Sequence, residues 1–564
     1  MDKDKHTKNS DIFKKELPTE DEVELEANSG TGIFSIFRIA KVERRMFCIL
    51  ALMFTLISFI YSVGRVFKDA AVLSRQMPLS INCLKTFIVL PITVLCVGVI
   101  QKFNVSYPFT KVFDNCLLIF SMMFIFTGFI LLPYSHLFQL DSNYFRDIFA
   151  DSKCVVRGYD VLLSVALVYN EWTSSLVYVL SEMFGNLILS YFFLTFANEL
   201  TTPRQSARFV PLFYVCSNIA LLLSGLLTGA FADYRKNISY ETAEKIYNGF
   251  FVLSGAVILV IYLLKMYLEQ NVTSKPIFIR KSFKEKGPKV KVGFSEGLRE
   301  MMGSKLLLNI SLIVMFYGIS TNLIESSFKN SLTKGAEISG KTTKEYSMRF
   351  TSLEQKIAAV WVMVLLLSPF PKLIETKGWI YVAILCPLIT LFSLISVCGL
   401  AFYNYPGTNN EPNFFFNSMC ASADTVLIGL ENYLGCIAVA FMKVAKYASF
   451  DISKEAISMR IDSSLRARYK GIFDGVFGKL GKSLGSLFVW GMGYLFQTRD
   501  IRKLSPISLF LVLTFVVIWI NSVIYLNRKY KESVVRNVPI DTDLFSKKNE
   551  HAGDPEISTS VLTN

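Results

Sequence analysis

Apolar residues in this chain gather into long unbroken runs rather than the alternating or 3.6-residue stripes of a soluble fold. A run of about 18 residues or more marks a helix that can cross ~30 Å of hydrocarbon. Twelve segments qualify or nearly qualify: 46–66, 82–101, 113–134, 174–197, 209–231, 248–266, 304–324, 354–371, 378–402, 421–444, 471–496 and 506–527. The first is open to extension as far as Ser74. Six spans, a polar stretch and six more spans is the layout of two bundles joined by a linker. The chain therefore reads as an all-α polytopic membrane protein with about twelve transmembrane helices in two six-helix bundles. Its expected divisions are an N-terminal tail 1–45, a first bundle 46–266, a linker 267–303, a second bundle 304–527 and a C-terminal tail 528–564.

Composition agrees, with 52% hydrophobic residues and 48 Phe and a mean hydropathy of +0.41. A net charge of +14 on a soluble chain would point to nucleic acid. Here the cations concentrate in alternate loops, the pattern of cytoplasmic segments, so they report orientation and no nucleic-acid partner is expected. The 267–303 stretch holds eight Lys or Arg against four acids, and 445–470 holds six against three. Arg38, Lys41, Arg44 and Arg45 precede span 1, and Arg528, Lys529 and Lys531 follow span 12. Both termini are expected on the cytoplasmic side. The ten Cys are scattered with no C-x-x-C pair, and the three His lie in tails or a loop. Neither a metal site, a cofactor nor enzymatic acid–base chemistry is expected.

Ionisable residues inside spans cost about 2.5–3.5 kcal/mol on an insertion scale, so they normally face a cavity or a partner. Glu182 interrupts the apolar run 177–196, with Asn186 one turn on and Gly185 beside it; the bland alternative is a structural ion pair between helices. At the end of span 1, Asp69 stands four residues after Arg65, placed to pair with it and leave Lys68 the freer cation; a solvated helix end with snorkelling side chains would look the same. Lys85, one turn into span 2, is equally ambiguous. Asn322, Glu325 and Lys329 follow one helical face at the mouth of span 7. Beyond span 10 come Lys446-Tyr447, Asp451 and Lys454-Glu455. The run Gly478-Lys479-Leu480-Gly481-Lys482-Ser483 has the wrong glycine spacing for a phosphate loop; its small residues suit close helix packing. Glu431 and Asp424 have no evident role. Cations outnumber carboxylates along this presumed pathway, which favours an anionic substrate.

These residues resemble the ATP/ADP carrier family of nucleotide transporters from plastids, obligate intracellular bacteria and microsporidian parasites, the microsporidian type above all. The resemblance spans about 46–500. It rests on Arg65-Val66-Phe67-Lys68-Asp69, Leu84-Lys85-Thr86, Trp172 with Tyr178 and Glu182, Phe196-Ala197-Asn198-Glu199, Arg208-Phe209-Val210-Pro211, Tyr317-Gly318 through Glu325 and Lys329, Gly378-Trp379, Lys446-Tyr447 through Asp451 and Lys454-Glu455, and Lys470-Gly471. Departures occur at 458–462, where the family carries an aromatic-Ile-Pro-Leu-Asp run, and at Ala438-Val439, where it carries Gln-Asn.

The resemblance implies a major-facilitator-like fold and alternating access. Host ATP would enter in exchange for ADP, with GTP as a further candidate, through a monomer in the plasma membrane of an intracellular parasite or in the membrane of a reduced mitochondrion. It also implies that Lys68 and either Lys446 or Lys454 bind phosphate oxygens, while Glu182 and Glu325 pair with those lysines when the site is empty. Arg65, Lys85, Asn186, Asn322, Lys329 and Asp451 complete the candidate site. Competing readings are a proton-coupled nucleotide symporter, a carrier of other anions and a membrane receptor; the Gly- and Arg-rich signature expected of general sugar or peptide carriers is missing from 101–111.

Overall fold

A computed structural model describes residues 18–29, 38–141, 143–151, 159–274, 302–370, 373–409, 419–461, 477–536 and 538–540, with Arg299 and Phe473. Most of the linker, the outer parts of both tails, and Asp462, Lys470, Gly471 and Asp474 lie outside the described residues.

Among the described residues, eleven helices are long and apolar enough to cross a membrane: α1 (Lys41–Arg75), α2 (Pro78–Asn104), α3 (Phe109–Leu131), α4 (Trp172–Leu200), α5 (Arg204–Asn237), α6 (Tyr240–Asn271), α7 (Lys305–Ile338), α8 (Thr343–Leu367), α9 (Trp379–Asn409), α10 (Ile428–Ser458) and, last of them, α12 (Ile501–Arg536). Span 11 corresponds to α11 (Gly478–Leu495), whose five glycines and two lysines dilute its hydropathy. Ser239, Ser304 and Thr342 cap α6, α7 and α8 by accepting the N–H three residues on, which satisfies one orphan donor at each start.

Several helices outrun their predicted spans. α7 continues to Ile338 rather than stopping at 324, so Glu325 and Lys329 sit in the body of a helix and not at a mouth. The reason is visible in its packing: Ser326, Ser327, Asn330 and Ser331 are buried against other helices, and hydropathy detects only the faces that meet lipid. α10 likewise continues to Ser458, which moves Lys446, Asp451 and Lys454 from the expected loop onto a helix. α1 carries Lys68 and Asp69 well inside its length, and Lys68 is only 3% exposed. That burial rules out a snorkelling helix end.

Burial recurs every third helix. The apolar windows of α1, α4, α7 and α10 are 61%, 67%, 78% and 56% buried, against 28–44% for the other seven. Those four helices line the middle of the molecule and the others wrap them. α5 packs on α8, and the start of α2 packs on α11. Gly225 and Gly229, spaced four apart, let α5 approach closely: a Cβ at Gly225 would lie 3.0 Å from the Ser352 carbonyl, the use of small residues expected at helix contacts inside a membrane. α7 and α11 meet in the same way, since a Cβ at Gly481 would lie 2.5 Å from the Met315 carbonyl.

Candidate functional site: a charged seam between the two sets of six helices

Lys68 on α1 is the centre of the seam. Its Nζ lies 2.7 Å from Glu182 Oε1 on α4, 3.3 Å from Asp69 Oδ1 and 3.9 Å above the Tyr178 ring. Asp69 turns its other oxygen to Lys329 of α7 at 3.0 Å. Lys85 of α2 donates to Asn322 Oδ1 at 2.7 Å and stands 3.5 Å from Glu325. Asn322 donates in turn to Ser486 of α11 at 2.9 Å, and Asn82 accepts from Ser326 at 3.1 Å.

Arg65 does not pair with Asp69, as its spacing suggested, but with Glu354 of α8 at 3.3 Å. Glu354 also takes Lys443 of α10 at 2.8 Å. The i, i+4 spacing told only which groups could reach one another; in a dry interior each charge goes to whichever opposite charge completes its coordination, and here that partner is on another helix. Lys68 is consequently not the freer cation. Glu325 meets Lys85, not Lys446 or Lys454.

Among the described residues, four ion pairs cross from the first six helices to the last six: Arg65–Glu354, Asp69–Lys329, Lys85–Glu325 and Glu244–Lys344. Glu244–Lys344 lies at the end where α1 and α7 finish and α2, α6 and α8 begin, Asp69–Lys329 and Lys85–Glu325 lie in the half nearer that end, and Arg65–Glu354 lies near the middle of α8. Lys344 rests 3.5 Å above the Tyr247 ring, whose hydroxyl donates to the Phe67 carbonyl, so the closure extends into the aromatic packing of α1 and α6.

Three helices loosen into π turns beside these charges: Leu84–Val89 around Lys85, Gly185–Phe193 after Glu182 and Lys446–Phe450. Such turns commonly mark functional positions. Gly185 is there because Tyr61 covers it; a Cβ would sit 2.2 Å from the ring. Asn186 lies in that turn, half-buried. Lys446 Nζ leans over the Tyr447 ring at 4.9 Å. Lys454 pairs with Asp451 at 3.3 Å, about two turns farther on and apart from the Lys68 contacts.

Glu354 and Lys443 were missed because they fall at the borders assigned to spans 8 and 10, where a charge looks unremarked; the Glu354-Gln355-Lys356 triplet opening an apolar run was the available signal. Glu431 pairs with Arg502 at 3.4 Å, and Asp424 lies exposed in a short turn.

Comparison with known proteins agrees with this architecture. A bacterial homologue of the iron transporter ferroportin, solved in an inward-facing state, aligns over 85% of this chain and 99% of its own with a TM-score of 0.52 at 16% identity, a likeness of fold that bears out the major-facilitator-like arrangement. The chain is 37% identical to "ADP,ATP carrier protein 1" of Encephalitozoon cuniculi over 97% of its own length and 98% of the relative's. It is 38% identical to "ADP,ATP carrier protein 1" of Paranosema grylli, over 94% and 96%, and 26% identical to that of Rickettsia prowazekii, over 89% and 96%. The model of the TLC ATP/ADP transporter family matches residues 26–530, and with almost the whole chain covered, the protein belongs to that family.

Proposed function

We propose that the protein exchanges ATP for ADP by alternating access, importing host ATP through the plasma membrane of an intracellular parasite, with both termini in the cytoplasm. The observation that carries this reading is the seam: Lys68, at 3% exposure, is held by Glu182 and Asp69 at the meeting of helices from both sets of six. A lysine buried without a partner costs several kcal/mol, so an empty carrier needs those carboxylates. A phosphate group arriving on Lys68 displaces Glu182, and the Asp69–Lys329 and Lys85–Glu325 contacts are then free to rearrange. Lys446 or Lys454 binds further phosphate oxygens.

Such an arrangement favours movement only when nucleotide replaces a carboxylate, which is the requirement for strict exchange. With the termini cytoplasmic, the end nearer Asp69–Lys329, Lys85–Glu325 and Glu244–Lys344 faces outward, and these pairs hold the two sets of helices together on that side. The relatives' names support adenine nucleotides; GTP is a further substrate, and the carrier works as a monomer.

Counterflow in proteoliposomes tests the proposal. Labelled ATP should enter vesicles preloaded with ADP or ATP, to a smaller extent with GTP, and not empty vesicles. Uptake that ignores internal nucleotide and collapses with a proton uncoupler would replace exchange by symport.

A further inference from the structure

Charge is not shared evenly along the seam. Lys68 and Lys329 are matched by Asp69 and Glu182, and Lys85 by Glu325. Glu354 holds two cations, Arg65 and Lys443, leaving that cluster one positive charge in surplus; the Arg235–Glu244–Lys344 group carries the same surplus, but it joins the ends of α5, α6 and α8 rather than the middle of the helices. The burial is graded as well. The Glu354 side chain is 3% exposed, while Arg65 and Lys443 are 18% and 13% exposed, so an incoming ligand meets the cations first and the carboxylate lies behind them.

Glu354 is also the fixed member. Its neighbour Gln355 donates to the Ser62 carbonyl of α1 at 2.9 Å and accepts from Ser224 of α5 at 3.2 Å, which locks the register of α8 against the first six helices. Arg65 reaches Glu354 through one nitrogen, 3.4 and 3.3 Å from the two carboxylate oxygens, a loose contact beside the 2.8 Å of Lys443. The guanidinium fork therefore keeps donors for a planar or tetrahedral anion.

We infer that Arg65, Lys443 and Glu354 form a second anion subsite, separate from the Lys68 locus, that takes the terminal phosphate of the nucleotide and uses Glu354 to set the preference between triphosphate and diphosphate. The inference rests on the nucleotide-exchange reading above. ATP and ADP differ by one phosphate and about one negative charge; a subsite with one surplus positive charge responds to that difference, while the balanced Lys68 network does not. Glu354 is a positioning residue: it keeps the two cations apart and occupies them until phosphate arrives.

The test is the ratio of KM for ATP to KM for ADP, measured by counterflow in proteoliposomes with internal nucleotide held constant. Glu354→Gln keeps the size of the side chain and adds one net positive charge to the cluster, so ATP should gain roughly tenfold over ADP. Lys443→Gln should shift the ratio by a similar factor the other way. Glu354→Gln combined with Lys443→Gln restores the net charge and should return the ratio toward the wild-type value. A purely structural cluster would change transport rate or protein level and leave the ratio alone, and an unmoved ratio in Lys443→Gln overturns the inference even if Glu354→Gln does not reach the membrane. Wild-type protein that exchanges no nucleotide would instead overturn the reading beneath it, and the two failures are told apart by that first measurement.

Discussion

Among the clusters of buried charge in the described residues, those around Lys68 and Arg502 are built differently. Around Lys68, single-atom lysine contacts join α1, α4 and α7, crossing between the first and last six helices. Around Arg502, everything stays within the last six. Its guanidinium, fully buried, holds Asp500 two residues away at 2.7 Å through Nη2, meets Glu431 of α10 at 3.4 Å and donates to Thr408 of α9 at 3.0 Å. Asn404 donates to Glu431 and Asn409 to Asp500. Burial disfavours charge on Asp500, yet Arg502 outweighs it and holds the carboxyl below its ordinary range. One cluster staples helix ends within the last six; the other joins the two sets of six, and its contacts are the ones that the proposed exchange would rearrange. A charge inside an apolar chain is therefore not functional by burial alone. What it joins decides.

The largest effect expected is on the staple. Arg502→Ala leaves two buried carboxylates facing one another, and breaking a buried pair in this way costs about 3–5 kcal/mol. Thermal unfolding in detergent should shift down steeply and the membrane level should drop, while the fraction that folds exchanges nucleotide with wild-type KM. A change in KM would erase the distinction between the clusters.

Next comes Lys68→Ala, which removes the centre of the seam. Exchange should fall by about a hundredfold, the loss expected for a charge-assisted contact worth ~3 kcal/mol. Because Glu182 loses its partner, stability falls too; adding Glu182→Gln should recover the unfolding temperature but not the transport. Recovery of both would make Lys68 a structural residue.

The line between legible and illegible charges follows the same logic. Glu182 stood out because it interrupts a long apolar run, and Lys68 because it follows one beside Arg65 and Asp69. Glu354, Lys443 and Arg502 did not, because a hydropathy window places its boundaries at charges, and a charge at a boundary no longer looks like a charge in the interior. The polar half of α7 was misjudged for a related reason: Ser326, Asn330 and Ser331 are buried against protein, and hydropathy scores lipid contact rather than helix length. The GxxxG spacing of Gly225 and Gly229 was in plain view, but only the approach of Ser352 shows that it serves the contact between the two sets of helices. The spans, by contrast, rest on faces that do meet lipid: eleven of the twelve appear as helices apolar enough to cross a membrane, and the other as the glycine-rich α11.

Gly225→Val gives an intermediate effect that probes the seam without touching charge. The branched side chain would push α8 away at Ser352 and Lys356, at a cost of about 1–3 kcal/mol for overpacking. Since that contact supports the closed end, exchange should slow while substrate preference stays fixed. An unchanged rate would show that α5 and α8 separate freely.

The smallest effect is expected from one substitution made in both clusters. Glu182→Gln removes the charge closest to Lys68, leaving the lysine to Asp69, which Lys329 already shares; exchange should drop by roughly tenfold, the value of one charge-assisted bond. Glu431→Gln makes the same chemical change beside Arg502. There the amide oxygen can still accept from Asn404, and Arg502 keeps Asp500 at 2.7 Å. The wild-type staple carries two carboxylates to one arginine, and Glu431 Oε1 is buried without a hydrogen bond, so the neutral side chain relieves a surplus negative charge while placing an amine where an oxygen had no donor. These opposing terms are each about 1 kcal/mol, and the unfolding temperature and exchange rate should both stay near wild type. If Glu431→Gln slowed exchange as much as Glu182→Gln, the staple would have to move during transport, and the two clusters would be parts of one mechanism.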